Sequence, residues 1–150
     1  MLILDHMTDP QNVGACLRSA AAANVDAVIV PKNRSCLLSP TVRKVSSGGS
    51  ELVPFIVVTN LVRTIKKMKL SDVNIVGAEK NGKTDYRELI LEKKNALIIG
   101  SEDKGLKKLT AENCDSLVRV NLPGSVDSLN PSVACGILLF EFVSKSENFI

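Results

Sequence analysis

Short apolar runs alternate with helical patterns and polar loops along the whole chain. The apolar runs are three or four residues long. They lack strict alternation of apolar and polar positions, which is typical of strands covered on both faces. This pattern predicts six strands, at residues 2–4, 27–30, 55–58, 73–76, 96–99 and 117–120.

Between these runs, apolar positions spaced three or four residues apart predict helices. Leu17 and Ala21 lie four apart in an alanine-rich stretch, and Ser39-Pro40 is a typical helix start. The predicted helices cover residues 12–23, 40–46, 61–68 and 130–145, with a further helical turn at 86–91. Strands that alternate with helices predict an α/β fold with a mostly parallel sheet flanked by helices.

Ligands of a parallel α/β sheet bind outside the carboxyl ends of its strands. The segments that follow the predicted strands are therefore the first places to look for a site. They are residues 5–12, 77–82, 100–105 and 121–130.

The composition fits one globular domain over residues 1–150, because 45% of the residues are hydrophobic. A net charge of +3 is compatible with an RNA partner without requiring one. Aromatic residues make up only 3% of the chain, which disfavours an RNA reader built on base stacking. The sequence contains no obvious repeat or linker.

The cysteine and histidine pattern disfavours a metal site. The four cysteines have no CxxC spacing, and His6 is the only histidine. Cysteines scattered through apolar stretches are typical of small core residues in a reduced compartment. The start of the sequence does not resemble a signal peptide, and no apolar run reaches the roughly 18 residues of a membrane span. We therefore expect a cytoplasmic protein without a bound metal.

Three segments combine glycine or proline with polar side chains at predicted strand ends. In the first, Asn12 can cap a helix, and Arg18 is either a surface arginine or a phosphate ligand. In the second, Gly100 and Glu102 form either a strained turn or part of a ligand site; the phosphate-binding GxxxxGK[ST] pattern is absent. In the third, Asn130 precedes Pro131 and is a good helix cap, with a ligand role as the alternative.

A fourth segment holds two adjacent cations beside a glycine pair. Arg43 and Lys44 are followed by Gly48-Gly49 and Glu51. The two cations either contact phosphate or are simply solvated, and charge alone slightly favours solvation.

The first three segments, taken in order, resemble the three motifs of the SpoU (TrmH) family of RNA 2′-O-ribose methyltransferases, in the SPOUT superfamily. The motifs correspond to residues 12–20, 100–106 and 128–134, and the resemblance covers nearly the whole chain. Residues 43–51, RKVSSGGSE, resemble the branch that methylates a guanosine of large-subunit ribosomal RNA. Asn121 and Pro131 depart from the family pattern, which usually has proline and a small or branched apolar residue at these positions.

The resemblance implies a fold, a cofactor and an assembly. The fold is an α/β sheet whose C-terminal segment is threaded through a deep trefoil knot, which the general rarity of knots would not have suggested. The cofactor is S-adenosylmethionine and the assembly a homodimer, for which residues 137–143 are the expected interface. By motif position, the cofactor pocket is expected to contain Gly77, Ala78, Gly100, Val120, Leu122 and Leu129. The expected catalytic residues are Asn12, Arg18, Glu102, Ser128 and Asn130.

The implied reaction moves a methyl group from a sulfonium to a ribose 2′-oxygen. The guanidinium of Arg18 is not normally deprotonated, so a charged Arg18 that holds the adjacent phosphate and stabilises the developing alkoxide is the more conservative role. The expected RNA contacts are Arg18, Arg34, Arg43 and Lys44, since a separate N-terminal RNA-binding domain is not expected in this chain. Ribosomal RNA is favoured over transfer RNA. The rival hypotheses are a non-catalytic RNA- or cofactor-binding relative and a dinucleotide-binding domain, which lacks its GxGxxG motif here.

Overall fold

A computed structural model describes residues 1–146, in which strands and helices alternate as the hydrophobic pattern predicts. The strands are β1 Leu2–Asp5, β2 Val28–Pro31, β3 Phe55–Val58, β4 Asn74–Ala78, β5 Thr84–Asp85, β6 Asn95–Gly100 and β7 Ser116–Arg119. The helices are α1 Pro10–Ala22, α2 Pro40–Val45, α3 Gly49–Leu52, α4 Leu61–Lys69, α5 Lys108–Glu112 and α6 Pro131–Lys145.

All seven strands belong to one sheet, in the order β3-β2-β1-β6-β4-β7-β5, and every neighbouring pair is parallel. The α/β prediction of a mostly parallel sheet of about six strands is confirmed; within residues 1–146 the sheet has seven, one more than the hydrophobic pattern indicates. The additional strand, β5, has two residues and no apolar run, so the hydrophobic pattern could not reveal it. The trefoil knot stays a prediction.

Two short helices also escape the sequence pattern. Helix α3 starts at Gly49, and α5 has no side-chain hydrogen bond at its N-cap, Lys107. Helices of four and five residues carry too few apolar positions to show a period. The helical turn expected at residues 86–91 is a single 3₁₀ turn at Tyr86–Glu88.

The strands β1, β2, β4 and β6 are buried on both faces, which explains why they are apolar without alternation, whereas the edge strand β3 is partly exposed. Leu2 and Leu4 pack on one face with Leu17 of α1 and Leu138 of α6. Ile3 packs on the other face, in a cluster to which Ile65 of α4 also belongs. Because the strands are parallel, their carboxyl ends share one edge of the sheet. Within residues 1–146, no helix combines the length and apolar character that crossing a membrane requires.

Candidate functional site

A cavity of about 660 Å³ opens at the carboxyl ends of β4, β6 and β7. Three loops form its walls: residues 79–81 after β4, residues 101–105 after β6, and residues 120–129 after β7. The first turns of α6 supply Pro131, Ala134 and Leu138. The cavity therefore lies where the topology of the sheet predicts a ligand.

The loop after β6 is a tight turn that presents Glu102. Ser101 and Gly105 exchange two backbone hydrogen bonds, of 3.1 and 2.9 Å, and Gly105 has a φ of +62°. A Cβ on Gly100 would come within 2.1 Å of the Gly105 carbonyl carbon, so only glycine allows the loop to fold back this closely. The two glycines of this motif are thus required by the backbone path, which holds Glu102 at the cavity wall.

Asn12 and Glu102 are joined, whereas Arg18 lies apart from them. The Asn12 side chain is buried and donates from Nδ2 to Glu102 Oε2 over 3.4 Å, linking the first motif to the second. Arg18 is exposed, six residues further along α1, or about 9 Å along the helix axis. Glu102 is therefore hydrogen-bonded to Asn12.

The third motif both caps α6 and lines the cavity. Asn130 is the N-cap of α6, and its Oδ1 accepts hydrogen bonds from the Ser132 backbone N–H at 2.9 Å and from Ser132 Oγ at 2.6 Å. Pro131 occupies the first helical position, where its missing N–H costs no hydrogen bond, and it is buried against the cavity. Ser128 lines the cavity directly.

The structure brings together five of the six residues expected around the cofactor: Ala78, Gly100, Val120, Leu122 and Leu129 all line the cavity. Gly77 does not line it. A Cβ on Gly77 would meet Leu106, Cys114 and Leu117, so this residue packs on the opposite face of the sheet. Asn121, at a position that departs from the family pattern, also lines the cavity.

The expected RNA-binding cations lie outside this cavity, on exposed surface. Arg43 and Lys44 are exposed on α2, and Arg43 forms an ion pair with Glu51. Arg34 is exposed in the loop after β2, with a φ of +55°. Helix α2 packs closely on α1, because a Cβ on Gly14 would come within 2.7 Å of the Val45 Cβ.

Gly49 explains how the segment that contains Arg43 and Lys44 packs beside Arg18. A Cβ on Gly49 would come within 3.0 Å of the Arg18 Cα and 2.8 Å of the Leu17 carbonyl oxygen. Only glycine at position 49 allows α3 to approach α1 this closely, whereas Gly48 has a φ of +89° and no neighbour within 4 Å of its Cβ position.

Several charged residues that line the cavity were not predicted as site residues from the sequence. Glu79, Lys80 and Asp127 line the cavity, and Lys80 Nζ lies 3.8 Å from Asp127 Oδ1, joining two of its walls. Arg119 donates from one guanidinium nitrogen to the carbonyls of Gly82 and Lys83, which fixes the loop after β4. The rule that ligands bind at strand ends marks these loops but not the individual side chains.

A cysteine packs against β4 on the side away from the cavity. Cys114 lies behind the cavity, against Gly77, and burial raises the pKa of its thiol to about 12, so it stays protonated at neutral pH. No group of three or more histidine, cysteine, aspartate or glutamate side chains within residues 1–146 is placed to hold a metal ion. The cavity instead offers backbone groups, apolar side chains and carboxylates.

Comparisons with known proteins agree with this geometry. Residues 1–140 match the model of the SpoU rRNA Methylase family. A relative from Xylella fastidiosa (strain 9a5c), named 23S rRNA (guanosine-2′-O-)-methyltransferase RlmB, is 50% identical over 145 residues, which are 97% of this chain and 58% of the relative. A relative of the same name from Coxiella burnetii is 50% identical over 147 residues, which are 98% of this chain and 59% of the relative.

Solved structures show the same fold. A TrmH-family RNA methyltransferase from Porphyromonas gingivalis, described as putative by its structure's name, has a TM-score of 0.89 at 29% identity and covers 97% of this chain and 59% of its own. The SpoU methyltransferase AviRb from Streptomyces viridochromogenes, solved in complex with AdoMet, has a TM-score of 0.88 at 26% identity and covers 96% and 56%. This chain thus spans under two thirds of the length of these relatives. With the three motifs gathered at one edge of a parallel sheet, these matches establish that the chain belongs to the SpoU rRNA methylase family.

Proposed function

We propose that this chain transfers a methyl group from S-adenosylmethionine to the ribose 2′-hydroxyl of a guanosine in 23S ribosomal RNA. One observation carries the proposal: the second and third family motifs line a single cavity, and Asn12 of the first motif is hydrogen-bonded to Glu102 on its wall. The substrate follows from relatives named 23S rRNA guanosine methyltransferases, which are 50% identical to this chain.

The residues of the cavity fit S-adenosylmethionine. A volume of about 660 Å³ lies within the range of roughly 300–1,000 Å³ that is usual for ligand clefts. Leu122, Leu129 and Leu138 offer apolar surface for a flat base, and the carboxylates of Glu79 and Glu102 suit the cationic end of the molecule. When bound, this cofactor supplies an electrophilic methyl group on a sulfonium.

The roles of the protein groups follow from their charge and position. A charged Arg18 holds the phosphate beside the target ribose and stabilises the negative charge that develops on the 2′-oxygen. That oxygen forms its bond to the methyl group as the sulfur–methyl bond breaks, and its proton passes to solvent water. Glu102 is oriented by Asn12 and aligns the ribose, and Ser128 hydrogen-bonds to cofactor or nucleotide at the wall of the cavity. Asn130 fixes the start of α6 and thereby the loop that carries Ser128. Holding oxygen and methyl in line contributes much of the remaining rate enhancement.

A homodimer is part of the proposal, because Arg18 does not line the cavity of its own chain. Helix α6 carries exposed apolar side chains at Val133 and Phe140, seven residues apart on one face. Helix α1 packs beside it, with a Cβ position on Gly136 lying 3.7 Å from Ser19 Oγ. A second copy docked on α6 would therefore lie close to Arg18. The threading of α6 through a knot belongs to the same proposal, supported by family membership.

RNA binding is proposed for the exposed cations Arg18, Arg34, Arg43 and Lys44, with Arg43 and Lys44 on α2, which packs against α1. Phosphate contacts of this kind position RNA without reading its sequence.

The test of the proposed function is methyl transfer by the purified chain. Tritium-labelled S-adenosylmethionine is incubated with unmodified 23S ribosomal RNA, with a pool of transfer RNA as the competing substrate. Incorporation into a guanosine ribose of the ribosomal RNA is the expected result. Cofactor binding without transfer to either RNA would identify a non-catalytic relative, and transfer only to transfer RNA would refute the proposed substrate.

A further inference from the structure

A second, smaller cavity of about 250 Å³ opens at the carboxyl ends of β1, β2 and β3. His6 follows β1, Asn33 follows β2, and Thr59 and Asn60 follow β3. The volume is below the roughly 300–1,000 Å³ of most ligand clefts, so it suits a phosphate with part of a nucleotide better than a second cofactor. None of these residues belongs to the three family motifs.

One buried carboxylate orients both potentially cationic residues of this cavity. Asp5 has no exposed surface, and its Oδ1 lies 2.5 Å from His6 Nδ1. Its other oxygen, Oδ2, accepts a hydrogen bond of 2.7 Å from the backbone N–H of Lys107. With Nδ1 engaged by Asp5, Nε2 is the ring nitrogen that remains for a ligand, and in the doubly protonated ring its N–H can donate to an anion.

The backbone at His6 is strained in a way that core packing does not explain. His6 has a φ of +56°, which side-chain-bearing residues adopt at a cost and glycine adopts freely. Its side chain is 19% exposed and lines the cavity, so it does not serve only to fill the core. Backbone strain of this kind is found mainly at ligand sites and active sites. The strain at His6 therefore indicates a functional reason for the position of its ring.

The remaining groups of the cavity favour an anion. Helix α4 begins here, and Leu61 and Val62 lie in its first turn, where N–H groups have no carbonyl partner within the helix. The Asn60 side chain satisfies only the N–H of Arg63, at 2.9 Å. The cation of Lys107 adds to this set, and imidazole, ammonium and helix N–H groups together are typical phosphate ligands.

The two cavities share a wall. Residues 101–105 line the larger cavity, and Lys107 at the end of the same loop lines the smaller one. Asp5 is paired in register with Gly100, so the loop starts beside the strand end that carries His6. An RNA strand whose target ribose enters the larger cavity can therefore reach the smaller one along this edge of the sheet.

We propose that the second cavity binds a backbone phosphate of the RNA near the methylated nucleotide, through His6, Lys107 and the N-terminus of α4. This inference rests on the proposed function for the identity of the ligand as RNA. It assigns a positioning role, since these residues do not touch the reacting atoms.

Binding of 23S ribosomal RNA at several salt concentrations tests the proposal with two variants and a matched control. Lys107→Gln removes the cation but keeps the backbone N–H that Asp5 accepts, and His6→Gly removes the ring at a φ that glycine tolerates. Lys108→Gln is the control, because Lys108 is exposed and does not line the cavity. We expect Lys107→Gln to weaken binding about two- to fivefold. We also expect the slope of log K against log salt to fall by about 1.

The single histidine of the chain makes a second readout unambiguous. A short single-stranded RNA oligonucleotide should shift the imidazole nitrogen signals of His6 in NMR spectra, and Lys107→Gln should reduce that shift. Inorganic phosphate that moves these signals while RNA leaves them unchanged would indicate a small-anion site and overturn the proposal.

The failure of this inference can be told apart from the failure of the proposed function. If both cavity variants bind RNA with the salt slope of Lys108→Gln while the wild-type chain still methylates RNA, the second site is refuted and the function stands. If the wild-type chain binds RNA without methyl transfer and Lys107→Gln lowers the slope, the function is refuted and the phosphate site stands.

Discussion

Arg18 illustrates how a single side chain defines the chemistry proposed for this fold. It is the basic residue of the first motif, yet it stands exposed on α1, about 9 Å along the helix from Asn12. The exposed guanidinium of Arg18, beside the close contact between α1 and α3, can contact a phosphate of the RNA substrate. The role that we propose for it therefore belongs to the complex with RNA, where it would stabilise negative charge that the free protein lacks.

Arg18→Ala is expected to lower the rate of methyl transfer about 100- to 1,000-fold, the usual effect of removing one group that stabilises charge in a transition state. Cofactor affinity should be unchanged, because the group that we propose Arg18 contacts is the RNA phosphate and not the cofactor. Arg18→Lys, which keeps the charge but loses the planar fork, should recover only part of the rate. Single-turnover transfer and isothermal titration measure the two quantities, and full activity of Arg18→Ala would refute the assignment.

Gly100 allows the close approach of the backbone in the loop after β6. An alanine methyl group at this position would collide with the backbone of Gly105 and Leu106, at 2.1 to 2.4 Å. Gly100→Ala should therefore displace the loop that carries Glu102, reducing both cofactor affinity and melting temperature.

Gly136→Ala is the matched control, because its nearest contact would be Ser19 Oγ at an ordinary 3.7 Å and alanine favours a helix. The melting temperature of this control should stay level or rise slightly. Gly100→Ala that binds cofactor as tightly as the wild type would show that the loop has room to adjust.

Helix α6 joins the larger cavity to the hydrophobic core. Its first turns form part of the cavity, and its buried residues pack between the sheet and α1, with Cys135 fully buried and Leu138 only 1% exposed. At its other end, Lys145 Nζ donates to the carbonyls of Tyr86, Arg87 and Leu89 and fastens the helix to the loop after β5. The cap at Asn130 and these contacts hold the two ends of α6.

Leu138→Ala should lower the free energy of unfolding by about 2–5 kcal/mol, the usual cost of a cavity in a well-packed core. Leu70→Ala makes the same chemical change at a side chain that is 87% exposed and should alter it by less than about 0.5 kcal/mol. Urea denaturation followed by circular dichroism gives both values. Equal effects in the two variants would contradict the packing described for α6.

The long helices and the strand cores could be predicted from the sequence, because they contain enough apolar positions to show a period. The strand cores and helices α1, α4 and α6 are specified largely by apolar period. The predicted cap at Asn12 is wrong, because α1 begins at Pro10 and its N-cap is Asp9, whose side chain accepts a hydrogen bond from the Gln11 N–H. Strand β5 and helices α3 and α5 are too short to show a period. The contacts Asn12–Glu102 and Asp5–Lys107 join residues 90 and 102 positions apart, and no local pattern encodes such pairings.

For the whole molecule, the exposed face of α6 is the feature that one copy of the chain leaves unexplained. Phe140 is 48% exposed and Val133 is 50% exposed in a helix that is otherwise largely apolar. The proposed homodimer would bury this face near Arg18. Family resemblance suggested the dimer and the knot, which neither composition nor periodicity could have predicted, and both remain predictions.

Phe140→Lys is expected to shift the protein from dimer to monomer, because a charge placed in an apolar interface carries a high desolvation cost. Leu70→Lys, at an exposed position of similar apolar character, should leave the assembly unchanged. Sedimentation velocity at several concentrations distinguishes the two states. A wild-type chain that sediments as a monomer throughout would remove the basis for the proposed interface.

We propose that this cavity serves ribose methylation of large-subunit ribosomal RNA. The most direct measurement maps 2′-O-methyl groups on 23S ribosomal RNA from cells that lack the gene, complemented with the wild-type chain or with Arg18→Ala. We predict that one guanosine loses its ribose methyl group, and that the wild-type chain restores it while Arg18→Ala does not. An unchanged set of ribose methyl groups on 23S ribosomal RNA in the cells without the gene would contradict it.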